Sequence, residues 1–457
     1  MGDRAWWQTT SIYHIYPLGL CGAPAANDFA AKAEHRLTMI TDLLPEIAEM
    51  EFGGIYLGPV FESTSHGYDT ADYGRVDRRL GSNYDLRELV EKAHGLGIKV
   101  VLDGVFNHVG RDFWAFRDVR QNGRDSAYVD WFRGIDFSCN NRFDDGFCYE
   151  GWEGTDRLVA LNLDSGHVRD HLFGAVRDWI STFAIDGLRL DVAYLLPDAF
   201  LDSLRRVVDG ACPGFWLMGE VIHGDYAHFT AAGRLHSVTN YECYKGLWSS
   251  HNDGNYFEIA HSLDRLFGEG GVARDVSLYN FADNHDVDRV ATSLANKAHL
   301  YPLYTILFTM PGIPSIYYGS EWGIEGAKRD GDRVLRPAWP EIQHGNPALH
   351  DHVLKLIKIR CKETVLQNGG YEQIAVTNEQ LAFRRASGSG EVLVAVNLSD
   401  EPGRLSLSGT LPENGRCLFS GAKVSLRTDD GKPAVDIPAY GGHLLSLTNS
   451  ITDAYCP

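Results

Sequence analysis

The stretch Gly187-Leu188-Arg189-Leu190-Asp191-Val192 decides the fold, because it is a short apolar run that stops on charged side chains. Residues two apart on a strand point the same way, so Arg189 and Asp191 share a face. Three other runs stop alike: Val100-Val-Leu-Asp103-Gly-Val-Phe-Asn107-His108, Phe215-Trp-Leu-Met-Gly-Glu220 and Tyr279-Asn-Phe-Ala-Asp283-Asn-His285-Asp286. Working outward, strand-like segments fall at 11–20, 54–61, 99–106, 187–192, 215–221, 237–241, 277–282 and 314–318. Amphipathic helical stretches lie between most of them, for example 37–50, 85–96, 168–183 and 200–208. Eight such units predict a closed (β/α)8 barrel, a fold whose active site lies where the strands end.

Two segments break the alternation. Residues 109–162 are rich in Gly, Asp, Asn and aromatics and have no period, which predicts a small inserted subdomain after the third strand. From 371 the helical signal stops and short alternating runs such as 392–398 are separated by turn clusters, Ser387-Gly388-Ser389-Gly390 and Asp429-Asp430-Gly431. The expected organisation is therefore barrel over 1–108 and 163–370, insertion over 109–162, and an all-β C-terminal domain over 371–457. A structural cap on the barrel explains that last domain more simply than a sugar-binding module.

With 42 Lys and Arg against 61 Asp and Glu, the net charge of −19 repels phosphate backbones, and no basic run offsets it, so nucleic acid is excluded as a partner. A composition of 44% hydrophobic and 23% charged residues is that of a folded globular protein, not of a disordered or collagen-like chain. The apolar run around 300–310 is too short for a bilayer, which excludes a membrane partner. The start Met1-Gly-Asp-Arg-Ala-Trp-Trp7 has no export pattern, so a cytoplasmic location is expected. The eight cysteines have no Cys-x-x-Cys spacing and read as reduced, mostly buried thiols. Cys139 and Cys148 are the one pair close enough in sequence for a local bridge.

Carboxylates thus converge from separate strands onto one rim. A guanidinium beside Asp191 would hold it ionised and oriented, which suits a nucleophile, whereas the apolar run before Glu220 would raise its carboxyl pKa, which suits a general acid. Two carboxyl groups in such contrasting surroundings are what a double-displacement glycosidase requires, and Asp286 would be a third, stabilising positive charge on the sugar. Taken singly, each carboxylate reads more simply as a helix cap or a salt bridge. Asp103, lower on its strand, reads as a partner of Arg189, and His108 and His285 read equally as packing histidines.

These segments resemble, in order, the motifs of the α-amylase family of glycoside hydrolases (family 13): Asp103–His108, Gly187–Asp191, Glu220 and Phe281–Asp286. Ser65-His-Gly-Tyr68-Asp-Thr-Ala-Asp-Tyr73 and Gly312-Ile-Pro-Ser-Ile-Tyr-Tyr-Gly319 resemble further family segments. The resemblance covers nearly the whole chain. It implies Asp191 as nucleophile, Glu220 as acid/base and Asp286 as transition-state stabiliser. Tyr68 would stack on the sugar, and His108, Arg189 and His285 would hydrogen-bond that sugar or the nucleophile. It also implies an α-glucan oligosaccharide or polysaccharide substrate, α-1,4 hydrolysis through a covalent glycosyl-enzyme, and no organic cofactor.

The sequences around 103–108, 187–193 and 219–223, with Leu161-Asn162, look most like the cyclomaltodextrinase and neopullulanase branch. That branch usually carries an amino-terminal β domain, whereas here the barrel begins at once, which leaves monomer and homodimer both open. Tyr194 and Leu195 stand where secreted α-amylases tend to show Lys-His, so no calcium site is expected, with Asn107 and Asp144-Asp145 as the residues that would argue otherwise. Trp114, Trp131 and Trp152 in the insertion read as packing of an irregular loop before they read as sugar platforms. The same triad would serve a transglycosylase, a trehalose-forming isomerase or a sucrose phosphorylase. A non-catalytic carbohydrate-binding scaffold is disfavoured by the intact carboxylates.

Overall fold

The computed structural model describes residues 4–342, 344–429 and 431–447. Met1–Asp3, Asp430 of the 429–431 turn cluster, and 448–457 with Cys456 lie outside the described residues. The chain folds as two compact units, one of Ile12–Thr239 with Arg336–Ile342, the other of Met1–Ser11, Asn240–Leu335 and Gln343–Pro457.

The first unit holds strands β1 (Ile12–Ile15), β2 (Gly54–Leu57), β3 (Lys99–Gly104), β4 (Gly187–Leu190), β5 (Trp216–Gly219) and β6 (Ser237–Val238). They run parallel in the spatial order β6-β5-β4-β3-β2-β1. In β1, β2, β4 and β5 every residue is buried, which is why they read as unbroken apolar runs in sequence. The second unit holds β7 (Tyr279–Asn280) and β8 (Ile313–Tyr317), also parallel to each other. Eight parallel strands alternating with helices make the (β/α)8 barrel. All eight expected strands are present, seven of them shorter and the eighth, Ile313–Tyr317, shifted by one residue. The first ends at Ile15 because Pro17 opens a helical turn, Pro17–Leu20, where its fixed φ suits the first helical position. The fifth ends at Gly219, so Glu220 stands just past the strand.

The insertion is a small antiparallel sheet of His108–Gly110, Thr155–Ala160 and Gly151–Trp152, with the helix Trp114–Asn122 beside an aromatic cluster. Trp131 is buried there, edge-on to Trp114 and Tyr128, which is packing rather than a sugar platform. One expectation is overturned here: Cys139 and Cys148 are joined as a disulfide, with Cα atoms 5.7 Å apart. A spacing of nine residues places two thiols within bonding reach whenever the loop between them doubles back, as this one does through the Asp136–Cys148 backbone bridge. Cys21, Cys212, Cys243 and Cys417 stand outside this bridge as thiols.

In the second unit the strands from Gly370 onward form one six-stranded and one three-stranded antiparallel sheet around a core that includes Leu393, Ala395, Leu405, Val435 and Leu445. Two fully buried arginines bond around the end of the helix Leu300–Thr309, Arg360 from the helix Pro347–Lys362 and Arg385 from the strand Gln380–Ser387. Arg360 donates to the carbonyls of Phe308 and Gly312, and Arg385 to those of Thr309 and Gly369. Phe308 and Thr309 stand in the last turn of that helix, where the partial negative charge of a helix C-terminus favours a cation.

His251 is fully buried in the same unit. Its Nδ1 faces the Leu247 carbonyl at 2.6 Å and its Nε2 the Tyr256 hydroxyl at 3.0 Å, an arrangement a neutral ring satisfies. Burial pushes its pKa down to about 3. The folded value lies below the unfolded one, so the unfolded chain binds the extra proton. The contribution is whole above about pH 6.5 and is lost as pH falls toward 3. Calorimetry from pH 7.5 to 4 is expected to show a falling Tm, with a shallower slope for His251→Asn; an unchanged slope would refute this assignment. Among the described residues, no helix is long and apolar enough to cross a membrane.

Candidate active site

Parallel register sets the site's centre. Asp103 on β3 lies directly opposite Arg189 on β4, so both side chains emerge on one face, and Asp191 follows two residues later on that same face. Arg189 Nη1 donates to Asp103 Oδ1 at 3.0 Å and to Asp191 Oδ1 at 2.8 Å, while Nη2 reaches Glu220 Oε1 at 2.7 Å. One guanidinium, 4% exposed, therefore holds three buried carboxylates. Tyr56 and Tyr68 both donate their hydroxyls to Asp103 Oδ2, at 2.7 and 3.0 Å, and the guanidinium lies 5.9 Å from the Tyr68 ring centroid. Asp103 is thus the anchor of Arg189, as its position low on the strand implies.

Val192, next after Asp191, has φ +41°, a left-handed backbone that a β-branched residue rarely adopts. The conformation turns its N–H toward Glu220 Oε2, at 2.9 Å. Gly219 has the complementary reason: a Cβ there would collide with Leu235 and Ala193. Glu220 is thus held at both oxygens, one by Arg189 and the other by strained backbone, and strain of this kind gathers at functional sites.

His108 places Nε2 3.9 Å from Asp191 Oδ2, its ring 5.6 Å from that of Trp152. Burial, with His66 nearby, lowers its pKa to about 3, so the ring is neutral at working pH. Burial also raises Asp191 well above the ordinary carboxylate value, helped by the Glu220 and Asp103 charges and opposed by Arg189. Arg189 is the influence that favours the charged form, and it orients Asp191 through the 2.8 Å bond to Oδ1.

In the second unit, His285 Nε2 lies 2.9 Å from Asp286 Oδ2, and the Asp286 backbone N–H donates to Asn284 Oδ1. The His285 side chain is buried, whereas that of Asp286 is 36% exposed. Asp283 turns inward instead, accepting from Val290 N–H and the Ser320 hydroxyl.

The family described as "Alpha amylase, catalytic domain" matches residues 33–353. The chain is 31% identical over 416 residues to a cyclomaltodextrinase of Geobacillus thermopakistaniensis, covering 88% of this chain and 68% of the relative. It is 32% identical over 434 residues to neopullulanase 2 of Thermoactinomyces vulgaris, covering 90% and 72%. The chain belongs to the alpha-amylase family. The ligand-free structure of a cyclic α-maltosyl-(1→6)-maltose hydrolase from Arthrobacter globiformis superposes with a TM-score of 0.82 at 25% identity, over 97% of this chain and all of that one. As a family member, the chain is a glycoside hydrolase of α-glucosidic bonds.

Within this alpha-amylase-family chain, the residues that would argue for calcium are engaged by neighbouring side chains: Asp144 Oδ1 accepts from Asn140 Nδ2 at 2.7 Å. Both oxygens of Asp145 are taken, by Arg111, Arg120 and Asn141, and the Asn107 amide lies 3.2 Å from His108 Nδ1. Among the described residues, no three His, Cys, Asp or Glu side chains are grouped to hold a metal. Two contributors escape the sequence reading. Tyr56 carries a visible signal, a polar tip inside an apolar strand. The strain at Val192 carries none, since nothing in its residue type announces a positive φ.

Proposed function

We propose that Asp191, Glu220 and Asp286 carry a retaining double displacement on α-1,4-linked maltooligosaccharides and cyclodextrins. The observation that supports it is the single guanidinium of Arg189 bridging Asp191 and Glu220. It fixes Asp191 through Oδ1 and leaves Oδ2 on the side of His108 for attack on the anomeric carbon. As that C–O bond forms, the glycosidic bond breaks and the Glu220 proton passes to the departing oxygen. Glu220 then takes a proton from water, whose oxygen displaces Asp191 and restores the original anomeric configuration. Asp286 stabilises the positive charge on the sugar ring. Tyr68 stacks on that ring, and neutral His108, with His285, hydrogen-bonds its hydroxyls.

The substrate class follows the relatives named for cyclomaltodextrin and pullulan, and a cytoplasmic location is our reading from the similarity to an intracellular maltogenic amylase. The domain organisation proposed for it is barrel over 1–108 and 163–370, insertion over 109–162 and C-terminal β domain over 371–457. Incubation with γ-cyclodextrin and soluble starch in parallel, products followed by chromatography, tests this. Rapid opening of cyclodextrin to maltose and glucose with starch nearly unchanged is expected. Fast starch cleavage with slow cyclodextrin opening would place the enzyme with open-cleft α-amylases instead, and inertness toward both would remove the hydrolytic reading.

A further inference from the structure

The disulfide of the insertion lies outside the chemistry above, yet it is joined to it by short steps within one unit. It closes the loop that carries Asp145. Asp145 accepts from Arg111 Nη2 at 2.9 Å, from Arg120 Nε at 3.3 Å and from Asn141 Nδ2 at 2.8 Å. Arg111 also donates to the Tyr149 hydroxyl, next after Cys148, and that hydroxyl donates to the Asp156 carbonyl at 2.7 Å. Arg111 itself directly follows the strand His108–Gly110, whose first residue faces Asp191. Gly110 is tightly fitted there, since a Cβ would meet the Asp69 backbone. A slack loop at 139–148 therefore loosens the anchor of Arg111, and with it the strand that presents His108.

Cys139 is exposed and Cys148 half-buried, whereas Cys21, Cys243 and Cys417 are buried. The Cα separation of 5.7 Å falls inside the range that a disulfide spans without backbone movement.

We propose that Cys139 and Cys148 form a redox-exchangeable modification site whose substrate is a small disulfide such as oxidised glutathione, and whose closure tightens substrate binding. The Cys139 thiolate attacks the small disulfide, releasing one thiolate and leaving a mixed disulfide. The Cys148 thiolate then attacks the Cys139 sulfur and expels the second. Two electrons pass from the protein pair to the small disulfide, which leaves as two thiols carrying the two protons. The effect falls on KM rather than kcat, because the link runs to the sugar-contacting His108 and not to Glu220. This part rests on the proposed hydrolytic reading.

The test equilibrates the whole protein with oxidised or reduced glutathione, maps the cross-link by peptide mass spectrometry, and measures kcat and KM on a linear maltooligosaccharide. Amide exchange of residues 108–111 is followed in the same samples. The oxidised form is expected to carry the 139–148 cross-link, with a KM roughly three- to tenfold lower, kcat within about twofold, and slower exchange at 108–111. Cys139→Ser and Cys148→Ser should each sit at the reduced values and ignore the redox buffer. Absence of the cross-link in oxidised glutathione overturns the proposal, as does a cross-link that leaves both KM and exchange unmoved. A protein inert on every α-glucoside but showing the exchange difference would sink the hydrolytic reading while leaving the redox coupling of the loop standing.

Discussion

Asp191→Asn is expected to lower kcat/KM by roughly 10^4-fold or more on every substrate, whereas the loss in Glu220→Gln depends on the leaving group. Removing the nucleophile deletes the covalent intermediate, and no property of the departing sugar replaces it. Removing the acid deletes only the proton given to the leaving oxygen, a contribution of about 10^2- to 10^4-fold that matters when that oxygen would depart as an alkoxide. A nitrophenyl glycoside departs as a stabilised phenolate and needs no such proton. Glu220→Gln should therefore lose most of its activity on maltotriose and retain much of the glycosylation step on the nitrophenyl substrate, read as a burst of phenolate. Equal losses on both substrates would exclude the acid role. Asn and Gln keep the size of the originals and a hydrogen-bond acceptor for Arg189, so circular dichroism and Tm serve as folding controls.

Arg189→Met is expected to destabilise the protein by about 3–5 kcal/mol at neutral pH, because it leaves buried carboxylates without their cation. Asp103, Asp191 and Glu220 are all below 10% exposed and share this one guanidinium. The pH dependence has a definite sign. Burial already raises Asp191 above its unfolded value, and removing Arg189 deletes the influence that opposes that rise. A group raised in the folded state contributes stability that is complete below its unfolded pKa, near 4, and is lost as pH rises through the folded value. Urea unfolding at pH 5 and pH 8 should thus find the variant much closer to the parent at pH 5. The opposite trend, or equal destabilisation at both values, would mean that lost packing of a long side chain outweighs the charge. Arg189→Lys keeps a cation but not the fork that spans Nη1 and Nη2, so it should restore part of the stability and little of the activity.

These expectations draw on different layers of the chain. The apolar runs at 99–104, 187–190 and 216–219 are legible because a strand buried on both faces has no alternation to interpret. The polar residues that close those runs are legible for the same reason, standing out against apolar neighbours. Asp103 beside Arg189 follows from parallel register. Strand ends are less visible: Pro17 turned the first strand into helix, and Glu220 lies beyond β5 rather than on it. Local backbone preference competes there with an apolar pattern that continues past the hydrogen-bonded residues.

By itself, then, the sequence determined the barrel, the insertion after its third strand, the all-β character of the C-terminal region and the residue types at the strand ends. Each of these is a matter of periodicity or of a charged residue closing an apolar run. Only the tertiary structure decided how the charges are shared. Arg189 is divided among three carboxylates, Asp145 is spent on two guanidiniums, Cys139 meets Cys148, and Val192 bends to aim its N–H at Glu220. The physical reason is that periodicity is a property of consecutive residues, whereas desolvation, charge sharing and strain depend on which distant groups are brought within a few ångströms of one another.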